Sequence, residues 1–301
     1  MVNWKPIIHE MSRTALIGAK ILFGLLIFVF IGILLYSGGI AKIYSSVYAS
    51  PASHLAPNLC DANPATAARN IIEWERVNIN NVIGKSDLCL KVASLDDVSW
   101  TYRSRCGACG EFSYLFTDLA RAWNLTVMTV NNPGEDHQWN AVLINGSWIT
   151  VDSTQPNESH ANYGYDVPDD FYENNSYAGA WAKNLSYVYG ELPNGSRIDL
   201  TARYSTTGNV SVYINRDGAL VYVISNSYVP RKPTGLKCTP INHYCNFNLG
   251  NTSYEFIAVG PGWLDYDSVL VNVTTNSATN ITLAPTFRPL ERWGALAQTI
   301  G

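Results

Sequence analysis

The run RCGACGEFSYLFTDLARAWN (residues 105–124) decides the fold, together with TVMTVNNPGEDHQWNAVLINGSWITVDST (residues 126–154) just after it. In the first run Phe112, Leu115, Phe116, Leu119 and Trp123 fall on one helical face. A helix is expected to start near Cys109–Gly110 and to end near Asn124. The Cys109 sulfur would then sit at a helix N-terminus, where free N–H groups and the helix dipole stabilise a thiolate. Gly107 and Gly110 permit a tight backbone and a close substrate approach.

In the second run, residues 126–130 read as a strand, and two further strands flank Asn145-Gly146, a pair that favours a type I′ hairpin. A two-residue turn pairs Ile144 with Ser147. Counting back, Trp139 opposes Asp152. His137 shares the face of Trp139, so His137 and Asp152 become diagonal neighbours, roughly 7–8 Å apart at the backbone. A three-residue turn would change the parity and separate them. With Cys109 packed against this sheet, His137 would take the thiol proton and Asp152 would orient the imidazole.

These residues resemble the transglutaminase-like superfamily. Its pattern is a Cys-Gly-acid-aromatic-small run opening a helix, then His-x-Trp-x-x-Val, then Trp-x-x-x-Asp. The corresponding stretches are CGEFS, HQWNAV and WITVD, in the same order. The resemblance implies a papain-like α+β core of about 90–100 residues, including the upstream helix with IIEWERVNI. It also implies a catalytic triad of Cys109, His137 and Asp152. RCGACGEFS is most similar to peptide:N-glycanases, in which the second cysteine is the nucleophile. Two features differ. The paired C-x-x-C zinc motifs of those enzymes are absent, with only Cys60 and Cys89 upstream, and Ala141 stands where the family often has Glu. Trp100, Gly110 and Trp139 are the candidates for oxyanion or supporting roles. The chemistry requires no metal and no cofactor.

The run ILFGLLIFVFIGILLY (residues 21–36) is uncharged, and extended back to Ala15 it matches the ~30 Å hydrocarbon core. Lys5, Arg13 and Lys20 precede it, so the N-terminus is expected in the cytoplasm and the remainder outside. A cleaved signal peptide is the other reading of this segment, at odds with the length of the apolar run and of its leader. N-x-S/T occurs at Asn124, Asn145, Asn157, Asn174, Asn184, Asn194, Asn209, Asn251, Asn272 and Asn280. About four would arise by chance. The excess suits a glycosylated cell-surface protein. Asn145 lies in the tight turn, and the other nine are the glycosylation candidates.

Six cysteines follow the apolar run. Cys238 and Cys245 are expected to pair within one loop. Cys60–Cys89 is the first choice for a second disulfide, leaving Cys106 free, with Cys89–Cys106 the alternative. A Cys106–Cys109 bridge would silence the nucleophile, and a zinc site built from the four N-terminal cysteines is a further option.

The expected organisation is a cytoplasmic tail (1–14), a transmembrane helix (15–37) and a linker (38–60). A catalytic domain (61–196), a β-sandwich (197–287) and a tail (288–301) follow. Within the catalytic domain a helix is expected over about 64–76 and loop up to Arg105. From residue 197 the short alternating stretches IDLTARY, VSVYIN, LVYVIS, YEFIAV, SVLVNVT and ITL argue a small antiparallel sandwich. It is similar to carboxypeptidase-regulatory-like modules. A net charge of −4 with 15% charged residues excludes a basic nucleic-acid binder. The expected activity is thioester chemistry on amide or peptide bonds of a protein, peptide or glycoprotein substrate at the cell surface. Hydrolysis is favoured over cross-linking, because cross-linking needs water excluded. The alternative is a catalytically inactive cell-surface binding or scaffold protein that keeps the fold.

Overall fold

The computed structural model describes residues 18, 20–33, 51–81, 98–154, 185–227, 231–262 and 264–288. Residues 20–33 are helical (α1). At 1.5 Å per residue they extend about 21 Å. No helix among the described residues is long and apolar enough to cross a membrane, so the expected span over 15–37 is not found there. The apolar side chains of α1 are exposed around the whole helix, Phe23 at 66% and Phe28 at 76%.

The helix α2 (Ala52–Leu59) buries Ala52, Leu55 and Leu59. This corrects the linker expected over 38–60, because the small residues there conceal a spaced apolar face. The helix α3 (Pro64–Asn78) begins as expected. Pro64 opens it, and the Asn63 side chain accepts the Ala65 N–H at 2.9 Å, satisfying an otherwise unpaired donor. Strand β1 (Asn80–Asn81) pairs in parallel with β2 (Cys106–Gly107). Between them lies α4 (Val98–Ser104), a helix where loop was expected. Trp100 lies on it, and the rest of the stretch, 82–97, falls outside the described residues.

The central helix α5 (Cys109–Ala122) packs on an antiparallel sheet ordered β5-β4-β3-β6-β7. Its strands are β3 (Val127–Asn132), β4 (His137–Ile144), β5 (Ser147–Val151), β6 (Tyr189–Glu191) and β7 (Arg197–Asp199). Phe112, Leu115, Phe116 and Leu119 are at most 2% exposed and meet Val127, Val142, Ile144 and Val151. Burying each is worth about 1.5–3 kcal/mol. The other sheet face carries Met128, Val130, Trp139 and Ala141, covered by Leu185, Val188 and Tyr204. The β4–β5 register is the one the turn demands, Ile144 opposite Ser147 and Asn140 opposite Val151. Asn145 and Gly146 hold φ of 50° and 82°, as a type I′ turn requires.

IDLTARY is not a sandwich strand. Its first part lies in β7 of the catalytic sheet, and α6 (Thr201–Tyr204) follows. The sandwich begins with β8 (Thr207–Ile214), so the boundary expected at 197 moves about ten residues on. One sheet is β10 (Lys232–Cys238), β9 (Leu220–Ser225), β12 (Ser253–Val259), β13 (Asp265–Asn272) and β15 (Thr286–Phe287); the other is β11 (Tyr244–Gly250), β8 and β14 (Ala278–Leu283). The β8–β14 pair is parallel, so the sandwich is not wholly antiparallel. Val210, Val212, Phe247 and Leu249 from one sheet pack on Val221, Val223, Tyr254 and Phe256 from the other.

Cys238 and Cys245 are bonded, but on two strands of different sheets rather than in one loop. Cys60 is free and exposed, which overturns the Cys60–Cys89 pairing; Cys89 lies outside the described residues. Cys106 is disulfide-bonded rather than free. It is therefore unavailable as a zinc thiolate, and Cys109 carries no bridge to it.

Candidate active site

Cys109 is the first residue of α5. Two buried polar contacts set the register of this helix on β4, and a third, within the helix, orients one of their partners. Ser113 Oγ donates to the Trp139 carbonyl at 3.1 Å, Thr117 Oγ1 to the Ser113 carbonyl at 2.9 Å, and Asn140 Nδ2 to Thr117 Oγ1 at 2.9 Å. A slide of α5 by one turn would break the two bonds to β4 and leave Ser113 and Asn140 unpaired in the core, at about 1–3 kcal/mol each. At the N-terminus Glu111 reaches back to accept the Ala108 N–H at 3.0 Å. Sequence reading singled out none of Ser113, Thr117 and Asn140. Their signal is polar residues set within apolar runs on helix and strand.

His137 opens β4, and Asp152 follows the last residue of β5. His137 Nε2 and Asp152 Oδ2 are 2.8 Å apart, with side chains only 9% and 1% exposed. The other Asp152 oxygen accepts the Thr154 N–H at 2.9 Å and the Thr154 hydroxyl at 2.6 Å. With Nε2 taken by the carboxylate, Nδ1 is left for Cys109, which favours the charged form of the imidazole. The Cys109 thiol further donates to the Asp136 carbonyl at 3.7 Å. The structure thus brings the three triad candidates together.

Burial acts against charge on both groups and is outweighed. Desolvation alone pulls the His137 imidazolium down, but Asp152, through charge and hydrogen bond, and then Cys109 raise it from 6.5 to about 10. Desolvation pushes Asp152 up, but the His137 charge and the bonds from His137 and Thr154 bring it from 3.8 to about 2. Between those values the pair is imidazolium and carboxylate.

Trp139 supports the imidazole. Its ring stacks on His137 with centroids 5.4 Å apart and meets the Tyr204 edge at 5.2 Å. Tyr204 is held through its hydroxyl, 2.8 Å from Thr150 Oγ1. Gly110 is buried in the first turn of α5, and Trp100 is half-buried on α4. Among the described sequons Asn124, Asn145, Asn194, Asn209, Asn272 and Asn280 are exposed and Asn251 is half-buried; Asn157, Asn174 and Asn184 lie outside the described residues.

A helix-borne thiol facing a hairpin-borne histidine and carboxylate is the core arrangement of a papain-like thiol enzyme. Residues 54–153 match the sequence model of the transglutaminase-like superfamily, and this part of the chain is a transglutaminase-like core. Similar solved structures include a candidate cysteine protease of Cytophaga hutchinsonii, at 23% identity over 30% of this chain and 31% of that one, TM-score 0.23. Another is a TGase, at 20% identity over 41% of this chain and 30% of that one, TM-score 0.23. A third is a candidate protease of Parabacteroides distasonis, at 12% identity over 62% and 35%, TM-score 0.30. The chain thus spans about a third of the length of these proteins, 31%, 30% and 35%. No curated protein matches the chain.

Proposed function

We propose that this protein is a thiol enzyme that cleaves amide or peptide bonds at the outer surface of a membrane. The observation that carries the reading is the buried His137–Asp152 pair at 2.8 Å, with the Cys109 thiol on the carbonyl of the residue just before His137. The Cys109 thiolate attacks the carbonyl carbon of the substrate. The C–N bond breaks, His137 hands its proton to the departing amine, and a thioester remains on Cys109. His137, now neutral, takes a proton from water as the hydroxyl attacks the thioester. The carboxylic acid leaves, and the thiolate–imidazolium pair is restored. In this mechanism the free N–H groups at the start of α5 stabilise the oxyanion. Hydrolysis is favoured over transfer to a lysine amine, because transfer needs a site that excludes water.

Three features support the location. The apolar side chains of α1 are exposed on every face, which suits a lipid surrounding. Disulfides at Cys106 and at Cys238–Cys245 suit an oxidising compartment. Six of the seven described sequon asparagines are exposed, as sugar attachment requires. The substrate class is then a protein, peptide or glycoprotein at that surface, with the bilayer as partner through residues 15–37.

The test is the rate of iodoacetamide labelling of Cys109 in the full chain, with Cys60→Ser removing the other free thiol among the described residues. Labelling is expected to vanish in Cys109→Ala and to slow by about 10²-fold in His137→Ala at pH 7. Equal labelling of the His137→Ala variant and its parent would refute the enzyme reading.

A further inference from the structure

The segment between β3 and β4 carries Asp136, whose carbonyl accepts the Cys109 thiol, and leads directly into His137. It is a single 3-10 turn, Pro133–Glu135, closed by Asp136 at φ 57°. Such a turn has little to hold it from within its own sheet. Its restraints come from the far side, where it faces the sandwich and the strand leading to it.

Glu135 is the centre of that contact. Its two oxygens accept the Ser186 N–H, each at 3.2 Å, and the Ser186 hydroxyl at 2.9 Å. The Ser225 hydroxyl at the end of β9 lies 3.5 Å away, and the Ser227 hydroxyl donates to the same carboxylate. Ser225 and Ser227 are themselves bonded at 2.6 Å. Ser186 is in turn fixed from the sandwich core. Its carbonyl accepts the Gly250 N–H at 2.7 Å and the buried Tyr254 hydroxyl at 2.8 Å. The fit is close on both sides of Glu135. A Cβ on Gly134 would fall 2.0 Å from Ser186 Oγ and 2.8 Å from Ser225 Cβ, so only glycine fits. On the other side Asp136 pairs with Lys232 of β10 at 3.1 Å.

Three consecutive residues before His137 therefore touch residues 186–232, all of them beyond the 54–153 segment shared with the superfamily. A carboxylate bound by hydroxyls and an amide is oriented by several directional bonds rather than by one mobile cation. We propose that Glu135 is a positioning residue that fixes the His137 loop against the sandwich, making the sandwich part of the functional unit of the site. The proposal rests on the triad reading above, since the loop it fixes matters only if Cys109 and His137 act together.

The experiment uses the full chain with Cys60→Ser, and reads two quantities. One is the rate of iodoacetamide labelling of Cys109 at pH 7 and 25 °C, per folded molecule. The other is the titration of the His137 imidazole by NMR. Glu135→Ala is expected to slow labelling at least about tenfold, as small misplacements at reacting groups do. It should also move the His137 titration down from about 10 toward 6.5. Glu135→Gln, which keeps an acceptor oxygen in place, should recover most of both. The double variant Ser225→Ala/Ser227→Ala keeps Glu135 and removes hydroxyls on the sandwich side; it should reproduce the alanine effect in part, and it serves if Glu135→Ala does not fold. A labelling rate within twofold of the parent with an unmoved His137 titration, in Glu135→Ala or in Ser225→Ala/Ser227→Ala, overturns the proposal. If instead His137→Ala leaves labelling unchanged in the parent, the triad reading fails. The His137 titration in the Glu135 variants still reports on the positioning contact by itself.

Discussion

The two halves of this molecule bury different chemistry. The helix-and-sheet half, residues 51–204, hides Glu75, Glu111, Asn140, Ser113, Thr117 and Asp152 among its apolar residues. The sandwich, residues 207–288, packs Val210, Val212, Val221, Val223, Tyr254 and Phe256 face to face, with a disulfide joining its sheets. Burying a polar group costs free energy unless a partner is in place. The first half accepts that cost where the groups set α5 on β4 or hold the imidazole. The sandwich meets the site through Ser225, Ser227 and Lys232 at its edge, and through Gly250 and Tyr254 by way of Ser186. The contrast predicts that substitutions in the first half change reactivity, whereas those in the sandwich core away from Tyr254 change stability alone.

The largest effect is expected from Asp152→Ala. Its side chain is 1% exposed, and it accepts from His137 and twice from Thr154. Removing one member of a buried pair costs about 3–5 kcal/mol. Cys109 labelling should fall by at least about 10²-fold, and the His137 titration should drop from about 10. The parent should show the opposite linkage. Its fold binds the imidazolium more tightly than the unfolded chain does. That contribution is complete below pH 6.5 and is lost as pH rises through about 10. The Asp152 contribution is complete above pH 3.8 and is lost as pH falls through about 2. Denaturant titrations across pH 2–10 would show both limbs, and Asp152→Ala should flatten them. Glu75 adds a slope of its own. Burial raises it well above the usual carboxylate range, a shift that Ser153 and Arg76 offset only in part and Asp152 reinforces. Its stabilisation is complete below pH 4.5 and declines as pH rises.

The sandwich supplies the opposite case. Phe256 is fully buried in β12, 5.7 Å between ring centroids from Phe247 of the facing sheet. Phe256→Ala should cost about 3–5 kcal/mol, measured by thermal or urea unfolding. At 25 °C the folded fraction should label at Cys109 at the parent rate. A change in that rate greater than twofold would break the contrast and show that the sandwich core itself, and not only its edge, tunes the site.

The same contrast explains what could be read from sequence. The periodicity of Phe112, Leu115, Phe116 and Leu119 gave the position of α5, because an apolar face at helical spacing is a local signal. Asn145-Gly146 gave the register of β4 and β5, and with it the meeting of His137 and Asp152. The missed features depend on contacts distant in sequence. The helix at Ala52–Leu59 contains Pro57 and small residues that resemble a linker, and only packing reveals its buried face. IDLTARY alternates like a strand of the sandwich, but β6 captures its first part for the catalytic sheet. Glu135 lay beside the catalytic histidine in the quoted run, yet its partners are 51, 90 and 92 residues away in sequence. Spacing was enough to pair Cys238 with Cys245, but not to settle Cys60 and Cys106, whose bonding depends on proximity in space.

The smallest expected effect tests the turn on which the site depends. Gly146 has φ of 82°, and a Cβ built there meets nothing within 4 Å. Gly146→Ala therefore introduces no clash and no lost contact; its cost is the left-handed backbone conformation alone, about 1–2 kcal/mol. A turn that only closes the hairpin would transmit that cost to stability and leave the site intact. The ladder from Ile144–Ser147 to Asn140–Val151 is five pairs long, and its side chains are committed to opposite faces. A one-residue slip would move Val142 and Ile144 off the helix-facing core, costing several kcal/mol more than the turn strain does. The register should therefore hold. Gly146→Ala is expected to lower the unfolding free energy by about 1–2 kcal/mol while Cys109 labelling and the His137 titration stay at parent values. Loss of labelling in a variant that remains folded would mean that the turn, and not the buried ladder, keeps the imidazole opposite its carboxylate.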